Sequence, residues 1–379
     1  MASPDKIYID QIKLLNETIP RGQLLNMVIA MAFALVMVLG LFGPLAKAAG
    51  NSVPQSLVET FGNYQPAGGT IPVQIGLMVN EITAINQQAE DFSVVGTLQM
   101  QWQQPDLAFE PESGEEAFRI FEGEELVVYA SDHNARLPRF TFFNQQGRRY
   151  TQNKLVVLMA DGQANYFERF TVTLQAPYFH FSKFPFDAQD FYIDIDLFAP
   201  VTVYQFTELK DYSGLGEMLG LEEWVVTRFD TAISEKRQMV GYNSSSFQFH
   251  LHAQRKTQYY TLRILVPITI IIIISWVTFF LRDYRKRIDI AGGNLLLFIA
   301  FNFIVSGDLP RLSYLTFMDS ILFTAFFITS LTIIVNVMLR YMEVNERIAL
   351  ARRIDYYIIW AYPMLYILGF AIAYRVFFG

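Results

Sequence analysis

Cysteine is absent from all 379 residues, histidine occurs only four times, and charged residues make up 17% of the chain. The first absence excludes disulfides, thiolate nucleophiles and cysteine-based zinc sites, without fixing the compartment. The histidines are His133, His180, His250 and His252. His250 and His252 lie two apart on one strand face and could hold a metal, but no third ligand is evident, so neither a metal nor a cofactor is expected. No glycine-rich phosphate loop and no G-x-S-x-G elbow occurs, so no catalytic residue is assigned and the chain does not read as an enzyme. A net charge of −7 argues against a nucleic-acid partner, which would favour a basic surface.

Apolar residues are plentiful: 52% of the chain is hydrophobic, with 34 Phe and 20 Tyr. That is too apolar for an ordinary soluble protein. The hydrophobicity is concentrated at the two ends. Residues 24–43 carry no charge and lie between Arg21 and the A-x-A site Ala46-Lys47-Ala48. This reads either as a secretory signal cleaved near Ala48 or, because the run is long for a signal core, as an uncleaved anchor. Near the other end, residues 264–281, 321–339 and 356–374 are uncharged and long enough to cross a bilayer as helices. Residues 290–305 form a fourth, weaker run containing Asn294 and Asn302, so this helix should face protein or water rather than lipid. Arg282, Arg285, Lys286 and Arg287 separate the first two runs, and Arg340, Arg347, Arg352 and Arg353 the last two. The positive-inside rule makes these loops cytoplasmic and places the middle of the chain and its C-terminus outside.

That middle segment reads as all-β. FSVVGTLQMQW, KLVVLMAD, NYFERFTVTL, DFYIDIDLF, EEWVVTRFD and SSFQFHLHAQ alternate apolar and polar residues, with turn signals such as Asp161-Gly162 between them. EEAFRIFEGEE, from Glu115, is the one stretch expected to form a short helix. Many short strands at even spacing suggest a sandwich or barrel.

One turn is unusual. In FPFDAQ, Phe184 and Phe186 flank Pro185 and Asp187 follows, although a surface turn normally avoids two exposed phenylalanines. Upstream stand WQQPDLAF (residues 102–109) and LPRFTFFN (residues 137–144); downstream come the four runs, with Pro267 in the first and Asp308-Leu309-Pro310 after the second. In this order the motifs resemble those of the pentameric ligand-gated ion channels, the superfamily of the Cys-loop receptors. The resemblance covers about residues 72–379, and the short linker between the last two runs is most similar to prokaryotic members. Departures place the chain away from the neurotransmitter receptors. Pro177 and Phe191 stand where those receptors carry the loop cysteines, Ala135 or Arg136 replaces a tryptophan, and Gln104 or Asp106 stands for an aspartate.

The resemblance implies an α+β membrane protein: an extracellular immunoglobulin-like β-sandwich followed by a four-helix transmembrane bundle. Its divisions would be an N-terminal signal or anchor (1–48), a linker (49–71), the ligand-binding sandwich (72–256) and the pore domain (257–379). It implies that the FPFDAQ loop presses its rings against the membrane domain around Pro310, while Asp187 meets Arg255, coupling the two domains. Helical spacing puts Arg285, Asp289, Gly293 (or Gly292), Leu296, Ala300, Phe303 and Gly307 on one face. The resemblance turns that face to the pore axis, with Leu296 in an apolar ring and Asp289 in an acidic ring at the inner mouth. Either the acidic ring selects cations or the neighbouring Arg285, Lys286 and Arg287 oppose it. Agonists of the family bind between subunits, which points to Phe143, Phe198 and Tyr242 on one side and Gln99 and Gln101 on the other. Glu90 and Asp91 are candidates for a proton response.

Three function classes follow: a channel opened by a small extracellular ligand or protons, a non-conducting receptor, or a membrane-tethered ligand-binding β-domain. The first is preferred because Asp289 and Asn294 would be needless on an anchoring helix. The expected partners are other copies of the chain in a homopentamer, membrane lipid, the ligand or protons, and the permeating ions. The expected location is the plasma (inner) membrane, multi-pass, with the β-domain on the periplasmic or extracellular side.

Overall fold

The computed structural model describes residues 69–112, 116–220, 222–238, 241–306, 312 and 314–379. The N-terminal apolar run and its A-x-A site lie outside the described residues, as do Gly307 and Pro310.

The first part of the described chain is built of strands: β1 (Ile71–Asn86), β2 (Asp91–Gln103), β3 (Phe118–Glu122), β4 (Phe140–Phe142), β5 (Gln145–Met159), β6 (Gln163–Gln175), β7 (Ala188–Pro200), β8 (Tyr204–Glu208), β9 (Gly214–Leu215), β10 (Trp224–Arg237) and β11 (Asn243–Arg255), with one helix, α1 (Glu125–Asp132). Among the described residues, one sheet runs β3-β5-β6-β2-β1-β8, with β9 also on β1, and the other runs β10-β11-β7-β4. Alternation explains the layering. Phe92, Val94, Leu98, Met100 and Trp102 of β2 are buried against Phe191, Ile193, Ile195 and Leu197 of β7, Phe247, Phe249 and Leu251 of β11, and Phe170 of β6. Gly96 lets the sheet accept the Phe170 ring, because a Cβ there would stand 2.7 Å from its tip. Gly162, at φ +87°, makes the tight β5–β6 turn.

Two local expectations are corrected. Residues 118–122 pair with β5 as a strand, because Phe118, Ile120 and Glu122 alternate with Arg119 and Phe121 on a free sheet edge. The helix begins later, at Glu125, where LVVYA supplies a buried stripe at Leu126 and Ala130. In addition, β1 was not among the six alternating stretches. Its register shifts at Val79/Glu81 and Ile82/Ala84 break the two-residue period.

Four helices follow that are long and apolar enough to cross a membrane: α2 (Gln258–Phe280), α3 (Tyr284–Ser306), α4 (Phe317–Val344) and α5 (Ile348–Phe378). The first contains a π-helical stretch, Thr261–Leu265. A capping box at Thr316 and Asp319 starts α4. Their interior is filled by Ile264, Ile268, Phe279, Phe298, Met318, Leu322, Tyr362 and Tyr366, and Phe181 and Phe184 of the β6–β7 loop belong to the same cluster. Several polar groups inside the bundle are paired, although the buried Asn336 Oδ1 has no hydrogen-bond partner among the described residues. Asn294 donates to Ser275 Oγ at 2.9 Å, Thr329 and Tyr366 share a hydrogen bond, and Trp276 Nε1 donates to the Ile359 carbonyl.

Candidate functional site

The β6–β7 loop meets the membrane helices through both backbone and rings. Phe317 N–H donates to the Ser182 carbonyl at 2.8 Å, and Phe181 N–H donates to the Tyr314 hydroxyl oxygen at 3.0 Å. Phe184 is fully buried edge-on to Tyr260 of α2, with Pro185 buried beside it, whereas Phe186 lies against Phe317 of α4 and Phe378 of α5. The loop thus touches three membrane helices.

Beside these rings stands a buried ion pair. Arg255, the last residue of β11, donates from Nε to Asp187 Oδ1 at 2.8 Å and from Nη2 to Oδ2 at 3.2 Å, and both side chains are within 1% of complete burial. Gln189 Nε2 donates to the same carboxylate at 2.6 Å, and Arg255 Nη1 reaches the Tyr260 hydroxyl at 3.2 Å. The guanidinium lies 4.2 Å from the Trp224 ring centroid and 4.9 Å from that of Phe184. Such a bidentate pair offsets desolvation by fixed geometry and by stacking on ring faces. Through the Tyr260 hydroxyl the pair is in contact with the first membrane helix.

The α3 helix has a packed side and an open side. Tyr284, Arg287, Ala291, Asn294, Phe298 and Val305 are buried against the bundle, while Arg285, Asp289, Gly293, Leu296, Ala300 and Phe303 lie on the opposite, exposed side. Leu296 is 69% and Phe303 75% exposed. Asn294 is on the packed side, so its polarity serves the contact with Ser275 and gives no support to a water-lined face. Arg287 is buried as well: it donates to both oxygens of Asp355 on α5 and to the Leu281 carbonyl. Of the three basic residues that start this helix, only Arg285 and Lys286 lie on the open side.

The third constellation is on the outward face of the β10-β11-β7-β4 sheet. Along β7, Asp190, Tyr192, Asp194, Asp196 and Phe198 alternate with the buried Phe191, Ile193, Ile195 and Leu197. Phe143 and Phe198 are exposed, and the Tyr242 hydroxyl, pushed up in pKa by burial, donates to the Phe198 carbonyl. The Lys236 ammonium sits 5.4 Å above the Phe143 ring, 3.2 Å from Asp194 and 3.7 Å from Asp196. Phe198 also borders a cleft of about 390 Å³ between α1 and the β7–β8 turn. Gln99 and Gln101 are half-buried on β2, in the other sheet, and within one chain do not meet these aromatics. Glu90 lies in the β1–β2 turn, where its carbonyl accepts from Ala176 N–H.

Lower on the same outward face, His250 Nε2 and His252 Nδ1 both reach Asp190 Oδ1, at 2.7 and 2.8 Å. Burial alone would raise the Asp190 pKa, but hydrogen bonds and charge from His252 and His250 outweigh it and hold the carboxyl below its usual range. Sequence reasoning found the two histidines and missed Asp190, as it missed Lys236, Gln189 and Asp355. A signal for the first two was present: acids at every second position of a central strand require partners on adjacent strands.

A sequence model described as the neurotransmitter-gated ion-channel ligand binding domain matches residues 61–257, just over half of the chain. Among curated proteins, a proton-gated ion channel of Gloeobacter violaceus is 24% identical over 312 residues, covering 82% of this chain and 84% of that one. Gamma-aminobutyric acid receptor subunit rho-2 of Bos taurus and subunit rho-1 of Homo sapiens are each 24% identical over 300 residues. Each match covers 74% of this chain, and 60% and 59% of the two receptors' own lengths. With a β-sandwich of that type followed by four membrane-spanning helices, the chain belongs to the neurotransmitter-gated ion-channel family and is a multi-pass ligand-gated ion channel of the pentameric kind, not an enzyme.

Proposed function

We propose that this channel is a homopentamer in which residues 72–256 receive a small extracellular ligand or protons and residues 257–379 conduct small ions, cations over anions, through a pore lined by α3. One observation carries the reading: the exposed side of α3 combines Leu296, Ala300 and Phe303 with Asp289 and Arg285. A face bearing an acid and an arginine is costly in lipid, and one bearing Leu296 and Phe303 is costly in water unless it narrows to a constriction that dewets. A pore axis satisfies both conditions. Arg285, one turn below Asp289, is the group that opposes cation selection.

In this reading Phe143, Phe198 and Tyr242 face Gln99 and Gln101 of the next copy. The Phe184-Pro185-Phe186-Asp187 loop and Arg255 pass movement to α2 and α4. Protons are favoured as a second stimulus by the cluster of Asp190 with His250 and His252, faced by the Tyr192 ring and by Asp230 at 4.0 Å.

Current recordings from the purified protein in planar bilayers, across pH and a panel of small amines and acids, test the reading. A gated current is expected, and Asp289→Asn should shift its reversal potential in a salt gradient toward that of the anion. If Asp289→Asn and Arg285→Gln both leave permeation untouched in a conducting channel, α3 does not line the pore. Absence of any conductance from correctly assembled protein leaves a receptor without a pore.

A further inference from the structure

The candidate ligand place on β4, β7 and the β10–β11 hairpin is not empty of charge. Lys236, near the end of β10, projects its ammonium over the exposed ring of Phe143 and between the carboxylates of Asp194 and Asp196. These are the features that would hold a ligand's ammonium: an aromatic face and anionic oxygens. The contacts are not those of an optimised structural pair. The Asp196 side chain is 2% exposed, yet its Oδ1 accepts no hydrogen bond, because the ammonium stands off at 3.7 Å. Ser246 Oγ, directly across from Asp196 in the β7–β11 register, is also buried without a partner. A buried carboxylate oxygen and a buried hydroxyl are both under-satisfied beside two exposed aromatic rings. The local charge, two carboxylates against one ammonium, stays negative.

We infer that Lys236 is a tethered competitor: its ammonium holds the cation position at Phe143, Asp194 and Asp196, and a ligand amine gains that position only by displacing it. This rests on the reading of Phe143 and its neighbours as the ligand place and adds what occupies it at rest. Displacement has a mechanical consequence. Lys236 is two residues before Gln238, which bonds Ser244 and Asp196 and closes the hairpin turn through the Tyr242 carbonyl. Release of Lys236 therefore removes one of the hairpin's links to β7, leaving those from Gln238 to Asp196 and from Tyr242 to the Phe198 carbonyl. The site consequently selects ligands whose ammonium can approach Asp196 Oδ1 more closely than the lysine does, which favours small primary amines over bulky quaternary ones.

The test measures binding rather than current, on full-length protein in lipid nanodiscs, with n-butylammonium as the probe and tetramethylammonium and butyrate as comparisons. Lys236→Met should tighten n-butylammonium binding about tenfold, the factor expected when a competitor that leaves one site in ten open is removed. Loss of a positive charge would raise affinity for any cation nearby, so a second variant separates the two causes. Phe143→Leu should weaken n-butylammonium binding about fivefold, the cation–π share, in the Lys236→Met background. In wild type it should change binding little, because lysine and ligand lose the ring together. Equal loss in both backgrounds, unchanged affinity in Lys236→Met, or tighter binding of butyrate than of the amine to wild type would overturn the inference. Both variants are first checked for wild-type oligomer size. Should n-butylammonium bind as described but evoke no current, the inference holds and the gating role of the site fails.

Discussion

At the scale of single residues, the Asp187–Arg255 pair separates stability from coupling. Asp187→Asn leaves the buried guanidinium only the longer, exposed contact with Glu223 at 3.8 Å, and the expected cost is up to about 3–5 kcal/mol, read as a fall in thermal midpoint of the assembled protein. The double change Asp187→Leu with Arg255→Met removes both charges and should restore most of that stability. It should not restore gating, because the polar link from β11 to the Tyr260 hydroxyl is gone; a double variant with normal ligand-evoked current would show that the pair is structural only. Asp190 supplies a second measurable effect. Its carboxyl is held low in the folded state, so the stability it contributes is complete above the ordinary carboxylate value of about 4 and is lost as pH falls through its lowered folded value. Melting of wild type should therefore weaken more steeply than that of Asp190→Asn as pH drops from about 4. Parallel curves would mean that the histidine contacts do not persist in solution.

Among the elements, α3 has two faces with different work, and substitutions should sort by face. Leu296→Ser places a hydroxyl on the open side, wets the apolar constriction and should raise spontaneous opening or ligand sensitivity. Asn294→Leu acts on the packed side. It leaves the Ser275 hydroxyl without its donor and should cost about 1–3 kcal/mol, recovered in part by Ser275→Ala, with ion selectivity unchanged. A shift in reversal potential from Asn294→Leu would put Asn294, not Asp289, in contact with the ions. The open face could be read from sequence because a 3.6-residue period with charge at one end and bulk at the other survives without tertiary information. The four spans were legible from their uncharged length, and most strands from their two-residue alternation. What was not legible has physical causes. In β1 two bulges break the alternation, and residues 118–122 look helical by composition but are recruited by a free edge of β5. Asn294 reads as polar whether it faces water or Ser275. Arg287 meets Asp355, 68 residues away, and Lys236 meets Asp194 and Asp196 across strands whose register no local pattern sets.

For the molecule as a whole, the decisive fact is that the described residues of a single chain leave no room for a pore between the four helices. The space between its four helices is occupied by Phe279, Phe298, Met318, Tyr362 and Tyr366, and the one face that carries both charge and gating bulk points away from that interior. In the proposed reading ions pass between copies, and a closed ring is the arrangement that gives every copy of α3 the same surroundings. Five helices of about 10 Å diameter set side by side leave a lumen roughly 7 Å across, wide enough for a partly hydrated ion until the side chains of Leu296 narrow it. Native mass spectrometry in detergent should accordingly show five copies and not a stable monomer or dimer. The absence of cysteine offers a sharper check, since one introduced thiol is unique in the chain. Leu296→Cys should be modified by a water-soluble, charged thiol reagent in the conducting state, with block of the current, whereas Phe298→Cys, buried in the bundle two residues on, should be untouched. Modification of the second and not the first would turn α3 around and move the pore to the side now packed on α2 and α4, which the filled bundle interior does not allow without repacking; the experiment thus decides between one specific assembly and its inverse.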